Sequence, residues 1–279
     1  MDIEHCDFIS GYEFYKISNW SFCPRYPVKL DPSQIKENDI VFINLDNFNE
    51  FIKILLNNRP RNKFILISHN SDVTFTESHF NIIHPFVNKV YAINAQLNYN
   101  SNNIVNNIPI GFIDNKYKPH YKYTNILLKQ HEKSTLIYMN FNMKTNPVKR
   151  AECYNTFVDK PWVLIESKVL PELFYEKLAM SKYVLSPEGT GVDCHRIYES
   201  IFFNSIPILK SNDLDSFYKK LPVITVKEWS DITEDFLIKN YEMYLSNLNK
   251  WKLDNKEWTC PKFWLSNYTI PLSELRPPS

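Results

Sequence analysis

The stretch Tyr183-Val184-Leu185-Ser186-Pro187-Glu188-Gly189-Thr190-Gly191-Val192-Asp193-Cys194-His195-Arg196-Ile197-Tyr198-Glu199-Ser200, followed by Ile206-Pro207-Ile208-Leu209, decides the fold. It opens on a short apolar run and breaks at one proline and two glycines. It then resumes as a helix over about 194–204 and closes on a second apolar run. Strand, tight loop, helix and returning strand make one unit of a parallel sheet. In open sheets of this kind ligands bind at the carboxyl ends of strands, where the glycine loop falls.

The same alternation extends in both directions. Apolar runs at 39–45, 63–68, 90–93, 108–110, 135–139, 162–165 and 222–226 read as strands, with helical spacing at 48–56, 171–180 and 232–250. Strands that are apolar throughout belong to sheets covered on both faces. Two such series, joined by a polar stretch at 113–133, predict an α/β protein of two Rossmann-like, doubly wound domains facing a central cleft. The expected boundaries are 1–130 and 131–255. Residues 256–279 are expected to form a tail docked back on the body, because four of the six tryptophans fall at 229 and beyond.

Composition narrows the function. There are 32 basic and 31 acidic residues, and residues 1–132 hold 13 of each. No basic excess marks a nucleic-acid partner. No apolar run has the length of a membrane span. The acidic start lacks the apolar core of a secretory leader, and five scattered cysteines fit reduced thiols, so a cytoplasmic location is expected. Only four glycines occur, Gly11, Gly111, Gly189 and Gly191, and two of them lie in the quoted loop. Each should mark a place that tolerates no side chain.

The loop reads as an anion site. Gly189, Thr190 and Gly191 let backbone amides approach a phosphate, Asp193 reads as the helix N-cap, and the helix terminus favours negative charge. Arg196 and Glu199, three apart, share a face. The arginine could bridge phosphate oxygens and the glutamate could take both hydroxyls of a ribose. A capped helix with a surface Arg–Glu pair is the plain alternative. The string is neither a dinucleotide GxGxxG nor a Walker loop.

The segment 186–209 resembles the signature of exostosin-like glycosyltransferases of the family-47 type, and the resemblance extends to the compact viral form of that family. Ser68-His69-Asn70-Ser71-Asp72, Ile108-Pro109-Ile110-Gly111-Phe112 and Tyr138-Met139-Asn140-Phe141-Asn142, with Thr145, Asn146 and Arg150, match further family segments in order. The match covers roughly residues 63–210. Glu188, Ser200, Phe203 and Asn204 depart from it.

The resemblance implies a GT-B fold. It also implies an inverting transfer from a UDP-sugar, with xylose the best guess, to a hydroxyl of an oligosaccharide or glycoprotein, without a bound metal or other cofactor. A viral glycoprotein glycan is the expected acceptor, and the host cytoplasm the location if the chain is viral. Charge builds on the leaving diphosphate, so cations must be aimed there. That role falls to Arg196, the 189–191 amides, Arg150 and Lys144, with Asn142 and Thr145 beside them and Glu199 on the ribose. Ser186, Glu188, Thr190, Asp193 and His195 complete the expected donor site. Asp72 is the first choice for general base and His69 the second, with a carboxylate such as Glu13 third.

Gly111 is expected in an interdomain turn. Asp213-Leu214-Asp215 has the form of a metal-binding DxD but reads as structural, with Asp213 or Ser211 capping a helix. The aromatic N-terminus (Tyr12, Phe14, Tyr15, Trp20, Phe22, Tyr26) fits either an acceptor groove or core packing. The alternatives to this enzyme are a GDP-sugar-dependent fucosyltransferase-like protein and a nucleotide-sugar- or glycan-binding module without activity.

Overall fold

The computed structural model describes residues 8–97, 103–113, 126, 129 and 131–266. The acidic start at 1–7, most of the 113–133 connection and the tail beyond 266 lie outside the described residues.

The first half contains α1 (Gly11–Lys16), β1 (Trp20–Phe22), β2 (Ile40–Ile43), α2 (Phe48–Asn57), β3 (Phe64–Ser68), α3 (Glu77–Ile83), β4 (Val87–Ala92) and β5 (Val105–Asn107). Its five parallel strands lie in chain order, β1-β2-β3-β4-β5. The second half contains β6 (Thr135–Met139), α4 (Pro147–Phe157), β7 (Val163–Ile165), α5 (Pro171–Ala179), β8 (Ser181–Leu185), α6 (His195–Phe202), β9 (Ile206–Lys210), α7 (Asp215–Tyr218), β10 (Ile224–Val226), α8 (Glu234–Asp254) and α9 (Pro261–Leu265). Its parallel strands are ordered β10-β9-β8-β6-β7. The winding direction therefore reverses between β6 and β8, and the carboxyl ends of those strands diverge into a crevice.

Both faces of both sheets are buried, as the apolar strands require. In the first sheet Val41, Ile43, Leu66 and Val90 pack under α2 and α3 with Phe48, Phe51 and Phe80. The alternate residues Phe42, Ile67 and Tyr91 join a central core that also takes Tyr138, Val184, Ile197, Trp251, Trp258 and Trp264. In the second sheet Ile137, Met139, Tyr183 and Ile208 pack with Cys153 and Phe157 of α4 and with Leu237 and Leu248 of α8. The central core thus contains side chains from both halves and from residues 258–264.

Local chemistry sets several element ends. Asn146 caps α4 through Lys149 N, with Pro147 at its first position, and Thr233 caps α8 through Phe236 N. The fifth strand lies at 105–107 rather than at 108–110, because Pro109 has no N–H for a ladder. The structure adds β1, α3 and α4, whose short or polar sequences carry little periodicity. Among the described residues, no helix is long and apolar enough to cross a membrane.

Candidate functional site

A cavity of about 970 Å³ occupies the crevice between the halves. Its walls are the loop after β6 (Asn140 to Thr145), the glycine loop after β8, the first turns of α6, the loop after β7 (Ser167 to Val169), Pro171 and Phe174 of α5, and Asp72, Ile110 and Ile113 from the first half. Of the expected donor residues, Asn142, Lys144, Thr145, Arg150, Gly189, Thr190, Gly191, Asp193, His195, Arg196 and Glu199 line it, together with the candidate base Asp72.

The two loops of the second half are stitched together. Arg150, buried on α4, donates from Nε to the Glu188 carbonyl at 3.0 Å and from Nη1 to the Asn142 carbonyl at 2.7 Å. Asn146 Nδ2 donates to the Gly189 carbonyl at 2.8 Å. Asn142 Oδ1 accepts Lys144 N at 3.0 Å, turning the Lys144 side chain to the cavity. Two Arg150 donors expected on a diphosphate are therefore spent on loop geometry.

Arg196 is placed differently. Its Nε and Nη1 are buried and have no hydrogen-bond partner among the described residues. Its guanidinium lies 5.7 Å from the Phe141 ring centre, and that of Arg150 lies 5.6 Å from the same ring. Burial, with Arg196 alongside, pulls Arg150 down to about 10. Two like charges thus share an aromatic platform, and one of them keeps buried donors unpaired. Buried polar groups almost always find partners, and these two donors have none among the described residues. Phe141 was not singled out by the sequence, although the Asn-Phe segment that contains it was.

Glu199 is buried on α6 and accepts the Tyr175 hydroxyl on Oε1 at 2.7 Å. Its Oε2 has no partner among the described residues, which leaves an acceptor for a hydroxyl at the cavity wall.

Several expectations change. Asp193 is not the helix cap: Cys194 holds that position and gives no side-chain cap bond. The Asp193 carboxylate accepts Cys194 N and Tyr218 Oη on Oδ1 at 3.0 and 3.2 Å, and Tyr198 Oη and Ile110 N on Oδ2 at 2.6 and 2.9 Å. Burial pushes it up to about 6 against those four donors. Because Ile110 belongs to the first half, Asp193 joins the halves and has no oxygen left for a donor.

Ser186 and Glu188 lie behind the loop, lining a separate small crevice rather than the main cavity. The Gly189 amide donates to the Gly191 carbonyl at 3.2 Å, closing the loop on itself, so it does not face an anion. His69 is buried. Its Nε2 faces the Pro109 carbonyl at 3.2 Å, which can only accept, and its Nδ1 faces Asn70. Neither nitrogen offers a lone pair to the cleft. Glu13 pairs with Lys16 on α1 and lines neither cavity of the cleft.

The glycines act by close approach more than by backbone angle. A Cβ at Gly191 would stand 2.8 Å from Asn94 Nδ2 and 3.3 Å from Asp72 Oδ1, so Asp72 reaches across the cleft to the glycine loop. Gly111 alone among the glycines has positive φ (66°), and a Cβ there would meet the Ile9 carbonyl at 2.2 Å. Its own carbonyl lies 2.7 Å from His195 Nδ1, bridging the halves as the interdomain turn requires.

Asp213 accepts Gln96 Nε2 at 2.8 Å, and Asp215 accepts Asn212 N at 3.0 Å and the Ser211 hydroxyl. The turn is held by Asp215 rather than by Asp213 or Ser211. Phe14 is core, whereas Tyr15 stacks on both Tyr12 and Tyr26, whose rings are tilted against each other. Among the described residues no three His, Cys, Asp or Glu side chains gather as a metal site.

Residues 113–260, more than half of the chain, match the family model described as the RXYLT1 C-terminal domain. No curated protein matches the chain. Among solved structures it is similar to an α,α-trehalose-phosphate synthase (UDP-forming) from Burkholderia vietnamiensis, at 10% identity and a TM-score of 0.43, covering 82% of this chain and 74% of that one. It is also similar to the pneumococcal O-GlcNAc transferase GtfA in complex with UDP and GlcNAc, at 10% identity and a TM-score of 0.35, covering 82% of this chain and 53% of that one.

Proposed function

Because the chain belongs to the RXYLT1 C-terminal domain family, an exostosin-related xylosyltransferase family, we propose that it moves a sugar from a UDP-sugar to a glycan hydroxyl with inversion. The best candidates are xylose as the sugar and a viral glycoprotein glycan as the acceptor. The observation that carries this reading is the pair of buried Arg196 nitrogens with no partner among the described residues, on a residue that lines the same cavity as Asp72 at the switch point of the second sheet.

In the proposed reaction the diphosphate lies against Arg196, Lys144 and the loop held by Arg150, and Glu199 accepts ribose hydroxyls through Oε2. Asp72 takes the proton of the acceptor hydroxyl as its oxygen attacks the anomeric carbon. The bond to the diphosphate breaks on the opposite face, and its electron pair goes to the leaving oxygen. Arg196 neutralises that charge, a task a divalent ion performs elsewhere, so the reaction needs no metal.

A screen of UDP- and GDP-sugars for hydrolysis and thermal stabilisation tests the reading. A UDP-sugar should be turned over, and Asp72→Asn should lower kcat by about 10²–10⁴ while UDP affinity is kept. Turnover of GDP-sugars alone would favour the fucosyltransferase-like alternative. Binding of UDP without turnover of any donor would favour a binding module.

A further inference from the structure

A second cavity, of about 230 Å³, lies against the first. The two share Asp72, Ile110, Ile113 and His195 as a common wall. Its far wall comes from the first half alone, and includes Gly11, Arg25, Asp46 and Ser71. We propose that this cavity seats the terminal unit of the acceptor, a neutral polyhydroxylated ring, with its reacting hydroxyl at Asp72 and its remaining hydroxyls on Arg25 and Asp46. The proposal rests on the donor reading above and adds the place and chemistry of the acceptor.

Three observations carry it. The base candidate stands on the wall common to both cavities, while Arg150 and Arg196 line only the larger one, so a hydroxyl in the smaller cavity meets Asp72 without displacing the donor from the arginines. Arg25 and Asp46 line the same space without pairing with each other: among the described residues no hydrogen bond or ion pair occupies the Arg25 guanidinium, and Asp46 Oδ2 has no partner. A sugar hydroxyl both donates and accepts, so it suits a guanidinium and a carboxylate together. Two carboxylates, Asp46 and Asp72, against one guanidinium would repel an anionic unit.

The wall is also held in shape. Ser71 Oγ donates to Asp46 Oδ1 at 2.8 Å and accepts Val73 N at 3.0 Å, and Asn44 Nδ2 donates to the Asn70 carbonyl. Asn70 itself adopts φ 58°. These bonds fix the Asn70-Ser71-Asp72 turn, which presents Asp72 at the junction. At Gly11, a Cβ would stand 1.8 Å from Asn70 Oδ1, so the first residue of α1 must be glycine for that turn to pack. The stacked tyrosines 12, 15 and 26 do not line this cavity, which moves the acceptor away from them.

The test separates hydrolysis from transfer. With UDP-xylose and no acceptor, water is the nucleophile and the rate reports the donor site. Neutral methyl glycosides, together with their uronate and phosphate counterparts, are then added at a fixed donor concentration. Neutral glycosides should divert the sugar from water; Arg25→Ala should raise the glycoside KM about tenfold with the hydrolysis rate unchanged, and Asp46→Asn should raise it by a similar factor. Asp46→Asn keeps an oxygen for Ser71 and guards against a collapsed turn. An unchanged glycoside KM in both variants overturns the proposal, as does a preference for the charged glycosides. Failure of every glycoside to compete with water also overturns it, while hydrolysis that needs Arg196 leaves the donor reading standing. Loss of hydrolysis in wild-type protein would sink the donor reading instead.

Discussion

Replacing Arg196 with methionine should stabilise the unliganded protein and disable it at once. In the native protein Nε and Nη1 are buried without partners among the described residues, and each such group costs about 1–3 kcal/mol. The Phe141 ring at 5.7 Å returns about 1–2 kcal/mol when desolvated. Methionine keeps most of the apolar stem and carries no donor, and the neighbouring Arg150 is relieved of a like charge. The net expectation is a gain of about 1–3 kcal/mol in urea unfolding without ligand, with an unchanged slope.

Binding should move the other way. Two charge-assisted hydrogen bonds at about 1.5–3 kcal/mol each correspond to a loss of at least about 100-fold in UDP affinity, read by titration calorimetry on the same preparation. UDP at 100 times its Kd adds about 2.7 kcal/mol to the wild-type protein alone, so saturating ligand should offset or reverse the stability order. A variant less stable than wild type with unaltered UDP affinity would refute the argument, because Arg196 would then be a structural residue.

Four further outcomes are expected. Asp193→Asn turns an amide N–H onto the backbone N–H of either Ile110 or Cys194, whichever way it rotates, so urea unfolding should show a loss of about 1–3 kcal/mol. Lys133, half-buried and donating to Ser181, Phe203 and Ser205, is pulled down to about 7 by desolvation and by Lys252. The unfolded chain then binds the extra proton above pH 7, so stability should rise by about 2–3 kcal/mol from pH 7 to pH 9, a slope that Lys133→Met should flatten. Gly191→Ala drives a methyl group against Asn94 and Asp72 and should cost about 1–3 kcal/mol, with a larger fall in kcat than in donor affinity. EDTA should leave donor turnover unchanged, and strict dependence on manganese would contradict the role given to Arg196.

Much of this protein is local and therefore legible in one dimension. The alternation of apolar runs with helical spacing reveals two buried parallel series, because a strand covered on both faces has no room for polar residues. The 186–200 segment places a glycine loop after a strand end and an arginine on the following helix, and the loop and the arginine meet in the cavity. Gly111 is legible for the same reason: a positive φ at a close contact admits only glycine.

Partnership, by contrast, depends on what lies across the cleft. Nothing in the sequence near Asp193 says that Ile110 will donate to it, nor that two of Arg150's donors will be used on loops while Arg196 keeps two buried nitrogens unpaired. His69 and Asp72 stand three residues apart in one turn. Only the packing of that turn buries the histidine against Pro109 and leaves the aspartate at the junction of two cavities. Residue type and spacing set which chemistry is available. Burial and hydrogen-bond satisfaction are properties of the assembled core, and they decide which of those groups remains open to a substrate.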